Sequence, residues 1–201
     1  MSPEESYNDE DPSTTKTIPK PEPLLLEPEN LEDRVVVVTG GGWNIGRAIA
    51  LRCAHQRATV IICSRNEKNL LATVEAAAEA DLNVRHVVLD IKDPDSVASE
   101  FEEIIATESR IDVLACMAGG FGAGKPLHET DPGEWLDVVL RNLYGTFLCC
   151  RAVLPGMIER RQGDILTCAG GGAFFPVIGL NATAYACAKA AICRFTDQLY
   201  S

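Results

Sequence analysis

The cysteines of this chain are not spaced for metal binding. None of the eight stands in a C-x-x-C pair, and none of the three histidines lies at a matching distance from a cysteine. The usual zinc-site patterns are therefore absent, and we expect no metal site. Most of the cysteines lie in apolar stretches, where a reduced thiol acts as a small hydrophobic side chain. We expect buried free thiols in a reducing compartment.

Long hydrophobic runs and clusters of positive charge are also missing. No apolar stretch approaches the roughly 18 residues that a membrane-spanning helix needs. Residues 1–10 are acidic, unlike a secretory signal. We therefore expect a cytoplasmic protein without membrane association. The 18 Lys and Arg are outnumbered by 29 Asp and Glu and form no basic cluster, which argues against nucleic-acid binding.

The N-terminal residues differ in composition from the rest of the chain. Residues 1–33 contain ten acidic residues and two lysines, so they carry −8 of the net charge of −11. They are rich in Pro, Ser and Thr, with one apolar island at 24–26. Such a segment buries too little surface to offset its ordering entropy. We predict a disordered acidic tail over 1–30 and one domain over 31–201; docking of the tail on a partner is the alternative.

Short runs rich in β-branched residues alternate with longer stretches that have apolar residues at helical spacing. The predicted strands cover 35–39, 59–63, 84–89, 111–115 and 164–167. The predicted helices cover about 45–56, 67–81, 94–108, 132–160 and 183–200. Apolar strands separated by helices indicate a parallel sheet covered on both faces. The alternation predicts a doubly wound, Rossmann-like α/β domain with three αβα layers.

A glycine-rich turn lies between the first predicted strand and the first predicted helix. Its residues include Thr39, Gly40, Gly42, Asn44, Ile45 and Gly46. Glycine lets a backbone approach a pyrophosphate, and free N–H groups at a helix N-terminus attract it, so the turn indicates a dinucleotide site. The mononucleotide pattern G-x-x-x-x-G-K-S/T fails here because Arg47 follows Gly46. It fails again at residues 119–126, because Pro126 stands where the pattern requires a Ser or Thr hydroxyl.

Tyr185 and Lys189 lie one turn apart in the last predicted helix and therefore share a face. A free phenol has a pKa of about 10, too high for proton transfer near neutrality. A neighbouring ammonium stabilises the tyrosinate, so we expect a lowered pKa for Tyr185. The pair alone is often a surface combination. Its position after the fifth predicted strand, in one domain with the glycine turn, favours catalysis.

Together these motifs resemble the short-chain dehydrogenase/reductase family, from about residue 31 to the end. The turn resembles the family's T-G-x-x-x-G-I-G, with Asn44 where the family has glycine; Asn tolerates positive φ, so the turn is expected to survive. Tyr185 and Lys189 resemble the family's Y-x-x-x-K motif. The resemblance implies a nicotinamide-dependent oxidoreductase acting on a small carbonyl or alcohol substrate. Tyr185 then exchanges a proton with the substrate oxygen, and Lys189 also holds the nicotinamide ribose.

The second predicted strand leads into Ser64 and Arg65. Relatives that prefer NAD usually carry an acidic residue here. An arginine fork suits a 2′-phosphate instead, so NADP(H) is favoured over NAD(H); a merely solvent-exposed Arg65 is the alternative.

The resemblance assigns further positions. Asp90 and Ile91 contact the adenine. Ala118 and Gly119 match the last two residues of the family's N-N-A-G motif, and Cys116 and Met117 replace its two asparagines. Asn142 helps to position a water that relays protons to the lysine, or else satisfies local backbone groups. The predicted catalytic residues are Tyr185, Lys189 and Asn142. The predicted cofactor-binding residues are Thr39, Gly40, Gly42, Asn44, Ile45, Gly46, Ser64, Arg65, Asp90, Ile91, Ala118, Gly119, Tyr185 and Lys189.

The family's serine after the fifth strand is missing, its place taken by Ala169 or Gly170. Losing one such donor typically costs about 10²–10³ in rate. Thr167 and Thr183 are the nearest hydroxyls, and each has an easy structural role. The resemblance also implies that the family's last strands are lacking after 201. An impaired remnant or pseudoenzyme that binds only a nucleotide or a partner is therefore the alternative. A homo-oligomer through the fourth and fifth helices is expected by resemblance.

Overall fold

The computed structural model describes residues 31–122, 124–175 and 181–200. The predicted tail, residues 1–30, lies outside them. The strands are β1 Val35–Thr39, β2 Thr59–Ser64, β3 Val84–Val88, β4 Val113–Cys116 and β5 Asp164–Thr167. The helices are α1 Asn44–His55, α2 Glu67–Ala78, α3 Pro94–Glu108, α4 Pro132–Val139, α5 Gly145–Arg160 and α6 Thr183–Tyr200.

The five strands form one parallel sheet in the order β3-β2-β1-β4-β5. Thr39 at the end of β1 is level with Cys63 of β2 on one side and with Cys116 of β4 on the other. The strand order reverses between β1 and β4, and in open α/β sheets ligands bind beyond the carboxyl ends of the strands at such a point. The doubly wound fold predicted from the alternation is confirmed.

The two faces of the sheet carry separate hydrophobic cores because successive strand residues point to opposite sides. Val35 and Val37 belong to one core, into which α3 sends Phe101 and α5 sends Leu148. Val36 and Val38 belong to the other core, which includes Leu70 from α2. The covering helices on both faces explain why the inner strands β1, β2 and β4 are largely apolar.

Two helices, α3 and α4, begin directly after an aspartate whose side chain caps the helix N-terminus. Asp93 accepts hydrogen bonds from the N–H groups of Asp95 (3.0 Å) and Ser96 (3.3 Å) before α3. Asp131 accepts from Gly133 (2.8 Å) and Glu134 (3.1 Å) before α4. An acidic side chain ahead of a proline in the first turn is a strong start signal. Several predicted bounds differ by one residue, and two differ by more, since α2 ends at 78 rather than 81 and β4 covers 113–116 rather than 111–115.

The predicted helix at 132–160 has a defect in its middle. Residues Leu140–Tyr144 form one π-helical turn between α4 and α5. Such turns occur often at functional sites. The turn contains Asn142, which is buried.

No helix in the described part of the chain is long and apolar enough to cross a membrane. All eight cysteines are unpaired, and four of them, Cys63, Cys116, Cys149 and Cys150, are buried. The expectation of free thiols is confirmed, although Cys187 is exposed.

Candidate active site

A cleft of about 350 Å³ opens beyond the carboxyl ends of β1 to β4. We call it the strand-end cleft. Eleven of the predicted cofactor-binding residues line it: Gly40, Gly42, Asn44, Ile45, Gly46, Ser64, Arg65, Asp90, Ile91, Ala118 and Gly119. They come from four separate segments of the chain, which the parallel sheet brings to one edge.

The glycine turn is packed too tightly for other residues. Gly40 has φ +71°, and a Cβ atom on it would lie 2.7 Å from the main-chain nitrogen of Ala118. A Cβ atom on Gly46 would collide with the carbonyl of Gly40. Asn44 has φ +47°, a left-handed conformation that asparagine tolerates. The turn therefore forms despite the missing glycine, and the N-terminus of α1 faces the cleft.

Thr39 lies beneath the cleft rather than in its wall. It is buried, and its hydroxyl accepts a hydrogen bond of 3.3 Å from the Ala118 N–H. The N–H of Met117 donates to the Thr39 carbonyl at 3.1 Å. Thr39 thus fixes the Met117–Ala118 backbone at the end of β4.

Ser64 and Arg65 occupy the β2 end of the cleft. The Ser64 hydroxyl donates to the Asn66 carbonyl at 3.3 Å and accepts from the Asn66 N–H at 3.2 Å, so it shapes the turn into α2. Arg65 is exposed and belongs to the cleft lining. A cation at this position fits the 2′-phosphate of an adenosine ribose.

An ion-paired group forms the cleft wall on the β3 side. Lys92 Nζ donates to Asp137 Oδ1 at 2.7 Å and lies 3.7 Å from Asp90 Oδ2. The Arg141 guanidinium pairs with the same Asp137 carboxylate. The hydrogen bond from Lys92, supported by the charge of Arg141, lowers the pKa of Asp137. The group joins the loop after β3 to the π turn.

Tyr185 and Lys189 lie at the Gly119 end of the cleft. Lys189 Nζ is 5.5 Å from the centre of the Tyr185 ring and donates to the Cys168 carbonyl oxygen at 2.7 Å. A Cβ atom on Gly119 would lie 3.7 Å from Lys189 Nζ. The predicted pair therefore adjoins the cleft, although neither residue is part of its lining.

The pKa of Tyr185 departs from the sequence-based expectation. Burial raises it above the ordinary value, with a smaller contribution from Cys168, instead of the lowering expected from Lys189. Burial also lowers the pKa of Lys189. Desolvation disfavours the charged form of both groups, and the ammonium is directed at the Cys168 carbonyl. The neutral phenol is a proton donor.

The Asn142 side chain forms hydrogen bonds with main-chain groups. Its amide donates to the carbonyls of Gly120 (2.9 Å) and Val138 (2.8 Å), and its Oδ1 accepts from the Gly120 N–H (3.3 Å). Both amide protons are donated to nearby backbone carbonyls, which is the local structural role considered for this residue as the alternative to proton relay. Asn142 thereby fixes the backbone beside Gly119; a role in proton relay stays a prediction.

Gly170 is the position that adjoins the tyrosine. A Cβ atom on Gly170 would lie 2.8 Å from Tyr185 Oη, so the main chain at this candidate for the missing serine packs directly against the phenol. The two hydroxyls nearest in the sequence each have a side-chain partner. Thr167 Oγ1 lies 2.8 Å from Thr196 Oγ1, and Thr183 Oγ1 accepts from Trp135 Nε1 at 3.1 Å.

Several residues around the site were not assigned from the sequence, among them Lys92, Arg141 and Phe121. Lys92 and Arg141 line the cleft, and the Phe121 ring packs against Tyr185 with ring centres 5.0 Å apart. Lys92 follows Asp90 and Ile91, and Arg141 precedes Asn142, so chain proximity to predicted site residues was the available signal. Phe121 gave no signal because its loop has no regular pattern.

Comparisons with known proteins agree with this geometry. The family model described as short chain dehydrogenase matches residues 34–201. A 3beta-hydroxysteroid dehydrogenase of Mediterraneibacter gnavus is 32% identical over 84% of this chain and 60% of its own length. A 2-dehydro-3-deoxy-L-rhamnonate dehydrogenase (NAD(+)) of Sphingomonas sp. is 34% identical over 83% of this chain and 64% of its own length.

Among solved structures, a metagenomic short-chain oxidoreductase in complex with NADP superposes with a TM-score of 0.80 at 29% identity. The match covers 85% of this chain and 76% of that one. The chain thus spans 60% and 64% of the two curated relatives. The family match, together with the parallel sheet and the clustered motif residues, shows that the chain belongs to the short-chain dehydrogenase family.

Proposed function

We propose that this chain is the dinucleotide-binding domain, residues 31–201, of an oxidoreductase that uses NADP(H) to interconvert a small carbonyl compound and its alcohol. The proposal depends mainly on one observation: the strand-end cleft ends at Gly119, and the Tyr185–Lys189 pair lies next to this residue. A Cβ atom there would be 3.7 Å from Lys189 Nζ. A cofactor lying along the cleft would end beside the proton donor.

The lining fits a dinucleotide. The tight turn at Gly40 and Gly46 exposes the N-terminus of α1 to the cleft, and such a terminus attracts a diphosphate. Asp90 and Ile91 are positioned for the adenine. Ala118 and Gly119 offer a close backbone surface for a ribose. Ser64 and Arg65 are the residues proposed to face a 2′-phosphate, and the cation of Arg65 supports NADP(H) over NAD(H); one relative's name includes NAD(+) and one matched structure contains NADP.

Each reacting group has a defined task in carbonyl reduction. Bound NADPH would supply the hydride for the carbonyl carbon. The Tyr185 phenol gives its proton to the carbonyl oxygen, and its raised pKa keeps that proton in place until the reaction. Lys189, whose ammonium donates to the Cys168 carbonyl, stabilises the resulting tyrosinate and would hold the nicotinamide ribose. Asn142 holds the Gly119–Gly120 backbone in position.

NADPH oxidation at 340 nm with a panel of ketones tests this proposal. Tyr185→Phe keeps the ring that packs on Phe121 and removes only the hydroxyl. We expect a loss of about 10²–10⁴ in rate, the usual contribution of general acid catalysis. Tyr144→Phe is the matched control, because Tyr144 stacks on Phe147. Equal rates for Tyr185→Phe and the wild type would contradict the assignment.

A second candidate, a pseudoenzyme that binds a nucleotide or a partner only, is favoured by one observation. Gly170 supplies no side-chain donor, and the hydroxyl of Thr167 pairs with that of Thr196. Saturable NADPH binding without turnover of any ketone would support this candidate.

Two further parts of the proposal concern the setting of the protein. Unpaired thiols are typical of a reducing compartment, which supports a cytoplasmic location. An apolar groove on α5 and α6, lined by Phe147, Leu154, Ile158, Phe195 and Leu199, supports a homo-oligomer. Phe147 and Ile158 are 41% and 69% exposed, and a second copy would cover both.

A further inference from the structure

The strand-end cleft has an uncovered indole at its rim. Trp43 lines the cleft together with Arg65 and Ile91, and it also lines a shallow hollow on the outer side of α1 beside Arg47 and Leu51. The residue is 69% exposed, and neither of the two aromatic ring contacts in the described segments involves it. An aromatic side chain of this size buries a large apolar surface when it is covered. A ligand in the cleft that covers Trp43 therefore gains affinity.

The packing of the glycine turn places Trp43 at the β2 end of the cleft. A Cβ atom on Gly42 would lie 3.1 Å from the Cβ atom of Asn69, so the residue before Trp43 rests against the first turn of α2. That helix begins two residues after Arg65. The Tyr185–Lys189 pair lies at the other end of the cleft, beside Gly119. A dinucleotide whose nicotinamide reaches the pair would thus have its adenosine half next to the indole.

The chemistry of the lining at this end fits a flat aromatic base. Bases stack on aromatic side chains through their π faces, whatever hydrogen-bonding groups they carry. Among the described residues that line the cleft, Trp43 alone is aromatic, and Ile91, which is buried, offers an aliphatic contact only. Resting on the proposed function, we infer that the Trp43 indole stacks on the adenine base of the bound cofactor.

The inference gives three residues separate tasks in holding the adenosine half. Arg65 faces the 2′-phosphate, Asp90 accepts from the adenine amino group, and Trp43 covers the ring. Stacking does not require the amino group. Trp43 should therefore contribute as much to the binding of the hypoxanthine analogue of NADP⁺, which lacks this group, as to the binding of NADP⁺ itself. A contribution confined to the adenine cofactor would overturn the inference.

Calorimetric titration with NADP⁺ measures the contribution of the indole. Trp43→Ala should weaken binding about 10- to 100-fold, the usual loss when a stacking side chain is replaced by alanine. Trp43→Phe keeps an aromatic face and should lose no more than about fivefold, whereas Trp43→Leu, apolar but not aromatic, should bind distinctly more weakly than Trp43→Phe. Leu71→Ala is the control, because Leu71 is an exposed apolar residue of α2 outside the cleft lining. Equal affinities for the Phe and Leu variants would overturn stacking.

A fluorescence titration with adenosine 2′,5′-bisphosphate tests the contact itself. This compound carries the base and the 2′-phosphate but no nicotinamide, and it does not absorb where tryptophan emits, so it quenches Trp43 by contact rather than by energy transfer. We expect saturable quenching in the unmodified protein and almost none in Trp43→Phe, whose remaining tryptophan is Trp135. Failure of the bisphosphate to bind in calorimetry, or binding without a change in emission, would overturn the inference.

The outcomes separate this inference from the proposed function. If NADP⁺ binds equally well to the unmodified protein and to Trp43→Ala, the proposed function stands and the inference fails. If NADP⁺ binds to neither protein, the proposed function fails and takes the inference with it. Because the indole lies at the end of the cleft away from Tyr185, Trp43→Ala should raise the KM for NADPH about tenfold or more and leave kcat nearly unchanged.

Discussion

The Lys189 ammonium donates a 2.7 Å hydrogen bond to the main-chain carbonyl of Cys168. The bond ties α6 to the segment that follows β5. It keeps the ammonium 5.5 Å from the centre of the Tyr185 ring, in a buried position. The cation is thus held near the phenol by a backbone group rather than by an acidic side chain, which would neutralise it.

Replacing Lys189 by Met should therefore act on the ionisation of Tyr185. Alcohol oxidation needs the tyrosinate, so its rate rises with pH. Because burial already raises the pKa of Tyr185, removal of the cation should shift this rise to still higher pH and lower kcat at neutral pH about 10²-fold. Profiles of kcat against pH measure both effects. An unshifted profile would show that Lys189 does not influence the phenol.

The cofactor preference depends on Arg65. Arg65→Ala should raise the KM for NADPH about 10- to 100-fold and leave that for NADH nearly unchanged, since only NADPH carries the 2′-phosphate. The ratio of kcat/KM for the two cofactors is the measurement. Arg52→Ala, on the exposed last turn of α1, controls for the loss of one positive charge. A preference for NADH in the unmodified protein would overturn the assignment of NADP(H).

The Asp137 carboxylate should contribute stability that depends on pH. Its pKa is lowered by Lys92 and Arg141, so the contribution is present above the ordinary carboxyl pKa and is lost as the pH falls through the lowered value. Because its side chain is 34% exposed, we expect Asp137→Asn to cost no more than about 1 kcal/mol at pH 7.

Urea unfolding at pH 7 and pH 3 measures this difference between the unmodified protein and Asp137→Asn. The difference should shrink at the lower pH. Glu134→Gln serves as the control, because its pair with Lys125 is more exposed and should change stability little. A difference that grows towards acid pH would contradict a lowered pKa for Asp137.

The local pattern of the sequence was enough to predict the layers and the strand-to-helix order. Four consecutive valines in β1 and the Asp131-Pro132 start of α4 are signals carried by neighbouring residues. The bounds of β4 were not predictable in this way. Ile111 lies just ahead of its apolar run, but the buried Asp112 carboxylate accepts from the Val35 N–H at 2.9 Å, a contact between residues far apart in sequence.

The site shows the same division between local and long-range information. The glycine turn and the Tyr185–Lys189 spacing are local motifs, so the sequence alone was enough to find them. The pKa of Tyr185 depends on how deeply α6 packs, and the partners of Asn142 depend on the π turn. Neither is encoded within a few residues. The choice of Gly170 over Ala169 likewise required the distance to Tyr185.

The proposed homo-oligomer predicts an effect at Ile158. Ile158→Glu places a charge in the apolar groove on α5 and α6, and a charge buried without a partner is costly. We expect the oligomer to dissociate into folded monomers, as measured by light scattering after gel filtration. Leu71→Glu on α2, where the leucine is 49% exposed, is the control. A monomeric unmodified protein at micromolar concentration would contradict the proposal.

The central claim is that the strand-end cleft binds a nicotinamide dinucleotide, and a fluorescence titration with NADPH tests it most directly. Trp43 lines the cleft and is 69% exposed, so bound NADPH should quench its emission and saturate. Trp43→Phe should remove most of this signal and leave that of Trp135. Unchanged emission up to millimolar NADPH, together with no heat in calorimetry, would contradict the account.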